Sequence, residues 1–171
     1  MNVLIVVDMQ NDFLAGTLAV DDAQALIKRV TDKVASYPGL IIFTQDTHDI
    51  NYKQTQEGQK LPIIHCQKNT RGWEICDELK PYVQEIFEKN IFGSLSLVDY
   101  LVQLNQGEQP IEEIELVGVC SDICVISNAL LIKAALSEVP VKVDSTLFQG
   151  SSPQSHQAAL TIMKTCQIEV I

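Results

Sequence analysis

Short apolar runs and amphipathic segments alternate along the chain. Most of the runs end in a polar residue and are four to six residues long, which is typical of strands buried inside a sheet. Six segments have this form: Val3–Val7, Leu40–Thr44, Tyr82–Phe87, Ile114–Val119, Val139–Val143 and Ile168–Ile171. The third is the least regular because Gln84 and Glu85 interrupt its apolar side chains. The pattern therefore predicts six strands.

Helical patterns occupy the stretches between these runs. Four segments have apolar residues at helical spacing: Asp21–Ser36, Ser94–Leu104, Asp122–Ser137 and Pro153–Thr165. The third is apolar nearly all round, which indicates a buried helix. Ser152 is a candidate N-cap for the fourth, with Pro153 in its first turn. Alternating strands and helices predict an α/β fold in which a parallel sheet carries helices on both faces, and sites in such folds lie at the carboxyl ends of the strands.

Length and composition narrow the possible classes of protein. The chain has 171 residues, which fits one domain over residues 1–171, and its net charge is −10. This acidic charge argues against nucleic acid and anionic membranes as main partners. No apolar stretch approaches the ~20 residues that a membrane helix needs, and the short run before Asp8 does not have the form of a signal peptide. The five cysteines lack the spacing of a disulfide framework, which favours a reduced, cytoplasmic protein.

Three reactive side chains are expected at one edge of the sheet. Asp8 ends the first predicted strand, Lys89 lies just beyond the third, and Cys124 follows the fourth where a helix begins. Each of them alone is common in a structural or solvated position, and free cysteine is usually buried. Their combination favours nucleophilic catalysis. A helix N-terminus lowers the pKa of a thiol, a carboxylate can take its proton and pass it to a leaving amine, and lysine can balance the charge.

Three separate segments carry a resemblance to a known family. They are Val6–Phe13 (VVDMQNDF), Lys89 followed by Phe92–Ser94, and Gly118–Val125 (GVCSDICV). In these segments, and over essentially its whole length, the chain resembles the nicotinamidase/isochorismatase-like cysteine hydrolases. The resemblance implies a three-layer α/β/α fold with a six-stranded parallel sheet. It also implies an Asp-Lys-Cys triad in which the cysteine attacks an amide carbon, ammonia leaves, and water hydrolyses the thioester.

The same resemblance assigns roles to particular positions. Asp8, Lys89 and Cys124 would form the triad. The peptide bond between Val119 and Cys120 would be cis, and the backbone N–H groups of Cys120 and Cys124 would form the oxyanion hole. Where the family usually has a small residue, this chain has Cys120.

The long polar stretch from Asp46 to Thr70 contains candidate metal ligands. Two histidines seventeen residues apart, His48 and His65, are by composition more often unrelated loop residues. The resemblance adds weight to the metal interpretation, because nicotinamidases carry Asp-x-His after the second strand and a later histidine that precedes a cysteine. It implies that Asp46, His48 and His65, with Glu57 as a further candidate, hold a divalent transition metal. Zinc is expected first, and manganese or iron are the alternatives.

Some positions depart from the nicotinamidase pattern and affect the expected substrate. Thr47 stands where nicotinamidases commonly have tryptophan, and the aromatic residue usual just before the later histidine is missing from residues 61–64. Phe13 is expected to pack against a flat substrate ring.

These features leave three hypotheses for the function. The leading hypothesis is hydrolysis of nicotinamide to nicotinate and ammonia in NAD salvage. A small amide or carbamoyl compound, or a vinyl ether, is the alternative substrate for the same fold. The complete set of reactive residues argues against a non-catalytic binding domain. The family resemblance further implies a homo-oligomer, either a dimer or a tetramer.

Overall fold

The centre of the molecule is a six-stranded parallel sheet. The computed structural model describes all 171 residues, and its strands are β1 (Asn2–Val7), β2 (Leu40–Asp46), β3 (Glu85–Lys89), β4 (Glu113–Val119), β5 (Val141–Gln149) and β6 (Glu169–Val170). Their order in the sheet is β3-β2-β1-β4-β5-β6, and every neighbouring pair is parallel. The predicted α/β class and parallel sheet are confirmed.

Helices cover both faces of the sheet. They are α1 (Asn11–Leu14), α2 (Ala23–Ser36), α3 (Gln56–Lys60), α4 (Leu95–Asn105), α5 (Ile126–Ala135) and α6 (Pro153–Thr165). One core joins Leu4 and Val6 of β1 to α1 and α2, and the other joins Val3, Ile5 and Val7 of β1 to α4, α5 and α6. Residues 3–7 are fully buried because β1 is packed between these two layers. None of the helices is long and apolar enough to cross a membrane.

The order of the strands determines where a site forms. The chain builds outward from β1 to β3 and then returns to place β4 on the other side of β1. At such a reversal the connections leave the sheet in opposite directions and open a crevice beyond the carboxyl ends of the strands. The segments that follow β1 and β4 both enter this crevice, and they contain Asp8 and Cys124.

The third and fifth strands differ most from their predicted bounds. The third was predicted at Tyr82–Phe87, but Tyr82 ends a 3-10 turn that contains Pro81, and β3 begins at Glu85. This strand has a neighbour on one side only, so it tolerates the polar residues that weakened the apolar pattern. Lys89, predicted just beyond the third strand, is the last residue of β3. The fifth strand continues to Gln149, beyond the apolar run that predicted it, and its register against β4 shifts between Leu116 and Gly118.

The helices match the sequence pattern more closely, with one informative exception. The helix Pro153–Thr165 has its predicted bounds, and Ser152 caps it by accepting a hydrogen bond from the Ser155 N–H. The helix predicted at Asp122–Ser137 instead begins with a π-helical turn, Ser121–Val125, which leads into α5. A π-helical turn widens the backbone locally and is often found at functional sites. The nucleophile candidate Cys124 lies within it.

Gly118 allows β1 and β4 to approach each other at the crevice. It pairs with Val7, has φ of +119°, and a Cβ at this position would overlap the Val7 carbonyl oxygen. We expect Gly118→Ala to lower the free energy of unfolding by at least about 2 kcal/mol, measured by urea denaturation. The matched control is Gly107→Ala, where a Cβ meets only the Leu104 carbonyl oxygen at 3.2 Å. The control should stay within about 1 kcal/mol of the parent protein. Equal effects of the two changes would contradict the assigned role of Gly118.

Candidate active site

Asp8, Lys89 and Cys124 meet at the carboxyl edge of the sheet. The ammonium of Lys89 lies 2.6 Å from Asp8 Oδ2 and 3.5 Å from Cys124 Sγ. All three residues are buried, and the side chain of Lys89 is only 2% exposed. The structure therefore brings together the three residues that the sequence singled out from β1, β3 and the turn after β4.

Thr44 fixes the orientation of Asp8. Asp8 directly follows β1 and has φ of 49°, which turns its side chain out of the strand pattern. The hydroxyl of Thr44, on the neighbouring strand, donates to Asp8 Oδ1 at 2.7 Å and accepts the Asp8 N–H at 3.2 Å. One carboxylate oxygen is thus held by Thr44 while the other faces Lys89. Sequence reasoning missed Thr44, because a threonine inside a strand carries no signal of this cross-strand contact.

Burial dominates the electrostatics of the three groups. It raises the pKa of Asp8, with Lys89 opposing the shift and Asp46 adding to it. Burial also disfavours the ammonium of Lys89, but the negative charges around it outweigh this effect and raise its pKa. Lys89 is therefore a permanent cation at neutral pH.

The Cys124 thiol is held in its neutral form. Burial raises its pKa well above the ordinary value, the charge of Asp8 raises it further, and Lys89 only partly compensates. The expectation of a lowered pKa at a helix N-terminus was wrong for this residue. Desolvation in the crevice is the main cause of the raised pKa, and the nearby carboxylate of Asp8 adds to it.

Cys120, directly before the turn that contains Cys124, has a backbone N–H group that is free to bind a ligand. The Val119–Cys120 peptide bond is cis, as the resemblance implied. The N–H of Cys120 donates to no carbonyl or side-chain acceptor, and Cys120 borders the same pocket as Cys124. A donor of this kind is suited to a developing oxyanion.

Asp46, His48 and His65 form a second cluster beside the first. The Nε2 atoms of His48 and His65 lie 3.0 Å and 3.5 Å from Asp46 Oδ2. One ligand atom from each of the three residues falls within 4.8 Å of the others, and all three residues are buried. Asp46 is the last residue of β2, and Lys89 Nζ lies 3.4 Å from its other carboxylate oxygen. The two clusters are therefore joined through Lys89.

The donor set of this second cluster suits a divalent transition metal. His65 Nδ1 lies 2.8 Å from the Ile63 carbonyl oxygen, so it donates its proton there and leaves Nε2 with a free lone pair. His48 Nε2 is buried, and although Asp46 Oδ2 lies 3.0 Å away, the two atoms are not aligned for a hydrogen bond. Two imidazole nitrogens and one carboxylate are a frequent zinc or iron ligand set that leaves coordination positions open. Burial opposes the charge on Asp46, but both histidines and Lys89 lower its pKa, so it is ionised.

Glu57 lies at the rim of the cluster. It is in the first turn of α3, and its Oε1 is 3.8 Å from Nε2 of both His48 and His65. Burial and the charge of Asp46 raise its pKa. Glu57 is thus near enough to face a bound ion, but it stands outside the compact group of three.

A pocket connects the two clusters. Its cavity volume is about 60 Å³, and its walls include Asp46, His65 and Cys124. Its apolar walls are Phe13, Leu18, Leu61, Phe92 and Ile123. The ring of Phe13 lies 5.7 Å from that of His65, centroid to centroid, which places it beside the space where a flat ligand would lie.

The sequence indicated only part of this pocket wall. Phe13 was expected there, and Phe92 belongs to a segment that carried the family resemblance. Ile123 belongs to another such segment, Gly118–Val125. Leu18 and Leu61 were missed, because they come from loops whose approach depends on the tertiary fold. Leu61 comes from residues 61–64, the stretch that lacks the aromatic residue usual in nicotinamidases.

Comparisons with known proteins agree with this geometry. The isochorismatase domain family matches residues 2–171. The nicotinamidase/pyrazinamidase of Mycobacterium tuberculosis is 27% identical over 190 aligned residues, which cover 100% of this chain and 98% of the relative. The nicotinamidase of Saccharomyces cerevisiae is 25% identical, with 100% and 99% covered. The crystal structure of a Pyrococcus horikoshii pyrazinamidase in complex with zinc superposes with a TM-score of 0.84 at 25% identity, covering 99% of this chain and 98% of that one.

The family match extends over nearly the whole chain, so it includes all the segments that supply the two clusters. The structural match is equally extensive and covers every strand of the sheet. Sequence pattern, strand order and these comparisons agree, and the protein belongs to the isochorismatase family.

Proposed function

We propose that this protein is a nicotinamidase, a cysteine amidohydrolase that converts nicotinamide and water to nicotinate and ammonia. The observation that carries the proposal is the shared pocket, in which a thiol with its carboxylate and lysine faces an Asp-His-His cluster. The first cluster suits amide hydrolysis, and the second suits the ring nitrogen of a pyridine. Relatives named nicotinamidase and pyrazinamidase support the same substrate class.

The first half of the reaction is acylation of Cys124. Its Sγ attacks the amide carbon while Asp8 takes the thiol proton, and the N–H groups of Cys120 and Cys124 stabilise the oxyanion. When the tetrahedral adduct collapses, the C–N bond breaks and Asp8 returns the proton to the leaving nitrogen as ammonia forms. The raised pKa of Asp8 makes it a better acceptor for this proton.

The second half is hydrolysis of the thioester. Asp8 takes a proton from water, whose oxygen attacks the acyl carbon. The C–S bond then breaks, releasing nicotinic acid, which loses its remaining proton to the solvent as nicotinate. Asp8 returns its proton to the sulfur, which restores the resting thiol. Lys89 remains protonated throughout, and its charge holds Asp8 in place and compensates the thiolate as it forms.

Asp46, His48 and His65 would hold the metal, with Glu57 at its rim. When bound, the metal would supply a Lewis-acid site for the pyridine nitrogen, which fixes the ring so that its amide faces Cys124. The zinc complex of a pyrazinamidase with the same fold supports zinc as the first candidate. Phe13 contributes an aromatic wall to the ring site.

The cellular setting forms part of the same proposal. All five cysteines are free, in keeping with a reducing compartment such as the cytoplasm. There the reaction would recycle nicotinamide in NAD salvage.

The family resemblance supports a homo-oligomer, and light scattering of the purified protein measures its mass. Because Leu18 and Leu61 form part of the pocket wall, a panel of small amides and carbamoyl compounds tests the alternative substrates.

Removal of the nucleophile should abolish turnover. We expect Cys124→Ala to reduce ammonia release from nicotinamide at least about 10⁴-fold, since no other group supplies the acyl acceptor. The matched control is Cys166→Ala at an exposed cysteine, which should keep parent activity. Circular dichroism establishes that both variants are folded. Substantial activity in a folded Cys124→Ala protein would refute the mechanism.

Replacement of Asp8 should increase the reactivity of the Cys124 thiol and abolish catalysis. Its negative charge raises the pKa of Cys124, so Asp8→Asn lowers that pKa and increases the thiolate fraction at neutral pH. We expect iodoacetamide to alkylate Cys124 about tenfold faster or more in Asp8→Asn, while ammonia release is lost with the proton acceptor. Peptide mass spectrometry follows Cys124, with Cys166 as the internal reference. Slower alkylation in the variant would contradict the assigned electrostatics.

Loss of a metal ligand should separate substrate binding from thiol chemistry. We expect His48→Ala to lose stoichiometric zinc and to raise the KM for nicotinamide about tenfold or more, because the pyridine nitrogen loses its anchor. Alkylation of Cys124 should continue. The third histidine of the chain, in His156→Ala, is the control, since it lies outside the cluster and contacts Ser121. Elemental analysis and steady-state kinetics measure both effects. Full zinc content in His48→Ala would exclude this residue as a ligand.

A further inference from the structure

Gln10 continues the sheet beside Asp46 after β1 has ended. The ladder between β1 and β2 stops at the pair Val7 and Thr44, so the backbone of Asp46 has no strand neighbour on that side. The buried side chain of Gln10 takes the place of that neighbour. Its Oε1 accepts the Asp46 N–H at 2.8 Å, and its Nε2 donates to the Asp46 carbonyl at 2.8 Å. A second donation from Nε2 reaches the Trp73 carbonyl at 2.8 Å.

Asp12, two residues later, holds the segment that carries the histidines. Its Oδ2 accepts the N–H of Cys66 at 2.7 Å, and this N–H belongs to the peptide that follows His65. The carbonyl of Cys66 in turn accepts the His48 N–H at 3.0 Å. Cys66 has φ of 45°, a left-handed conformation that is unfavourable for a residue other than glycine. The bond from Asp12 therefore stabilises a turn to which both histidines are attached.

The local sequence leaves room for this carboxylate. A Cβ on Gly16 would overlap Asp12 Oδ1, and a Cβ on Gly72 would overlap Asp12 Oδ2. The Asp12 N–H donates to the Gly72 carbonyl at 2.9 Å, which fixes the start of α1 against the loop. Asp12 thus lies half-buried between two glycines, with Oδ2 directed at the Cys66 peptide.

We propose that Gln10 and Asp12 are positioning residues for the metal site, acting on its three ligands through their backbone. Gln10 sets the position of Asp46, and Asp12 sets those of His65 and His48 through Cys66. The segment 8–12 would then serve both halves of the site, since it begins with the proton acceptor Asp8. The inference rests on the metal site of the proposed function and adds to it two residues that touch neither metal nor substrate.

The test compares two buried glutamines that share an acceptor. Gln45 also donates to the Trp73 carbonyl at 2.8 Å, but its side chain makes no bond to the Asp46 backbone. Zinc affinity of the full chain is measured by competition with a chromophoric chelator. We expect Gln10→Met to weaken zinc binding about 10–100-fold and Gln45→Met to change it less than about threefold. Cys124 alkylation and melting without zinc report separately on the fold of each variant.

Variants of Asp12 give a second test, which does not depend on the folding of Gln10→Met. We expect Asp12→Asn to retain zinc affinity within about threefold, because its amide oxygen can still accept the Cys66 N–H, and Asp12→Ala to lose about tenfold or more. Rescue by the conservative variant separates positioning from a charge effect.

The outcomes distinguish this inference from the proposed function. If the parent protein binds no zinc, the metal site fails and the inference fails with it. If the parent binds zinc and Gln10→Met or Asp12→Ala binds it equally well, the positioning role is refuted while the metal site stands. A loss of affinity that Gln45→Met shares to the same extent would also overturn the inference, since it would reflect general loosening of the loop.

Discussion

A buried ammonium group holds the site together. Lys89 is almost completely removed from water, and its charge is tolerated there because Asp8 lies 2.6 Å away. A buried ion pair is costly to form, and breaking it by removing one partner typically costs about 3–5 kcal/mol. The remaining polar neighbours of the same nitrogen are Asp46 at 3.4 Å and Cys124 at 3.5 Å. Strand β3 therefore supplies one cation that faces the proposed nucleophile, the proposed proton acceptor and a metal-ligand candidate together.

The electrostatics of this arrangement suit a thiol that reacts only with a bound substrate. Burial and Asp8 keep Cys124 protonated, and burial also raises the pKa of Asp8, so thiol and carboxylate are set up for proton transfer. A permanently ionised thiolate would be open to oxidation and alkylation at neutral pH. In the proposed mechanism the proton instead leaves the sulfur as the amide carbon accepts it. Specificity then depends on whether the ring site places the amide correctly.

Much of the fold and the reactive residues were predictable from the sequence, and the reason is local. Buried parallel strands are short apolar runs, and the residues directly after them lie at one edge of the sheet, which located Asp8 and Cys124. The metal-ligand candidates were not separable from ordinary loop residues by composition, and the family resemblance singled them out. Helix bounds followed from capping and spacing, as at Ser152.

The rest depends on contacts between segments far apart in the chain. The pocket walls Leu18 and Leu61 come from loops that carry no periodic pattern. The pKa of Cys124 depends on how deeply the three layers of the fold bury it. Its position near a helix N-terminus predicted a lowered pKa, whereas burial raises it. The predicted bounds of β3 were wrong because an edge strand needs few apolar residues. The apolar pattern was therefore weakest where the strand is least covered.

The central claim is that Cys124 becomes acylated by its substrate. The most direct test is mass spectrometry of the zinc-loaded protein, acid-quenched at intervals during turnover of nicotinamide. The account predicts a nicotinoyl group on the peptide that contains Cys124, appearing before nicotinate accumulates and disappearing when nicotinamide is exhausted. An acyl group on a different residue, or steady release of nicotinate with Cys124 unmodified at every quench time, would contradict it.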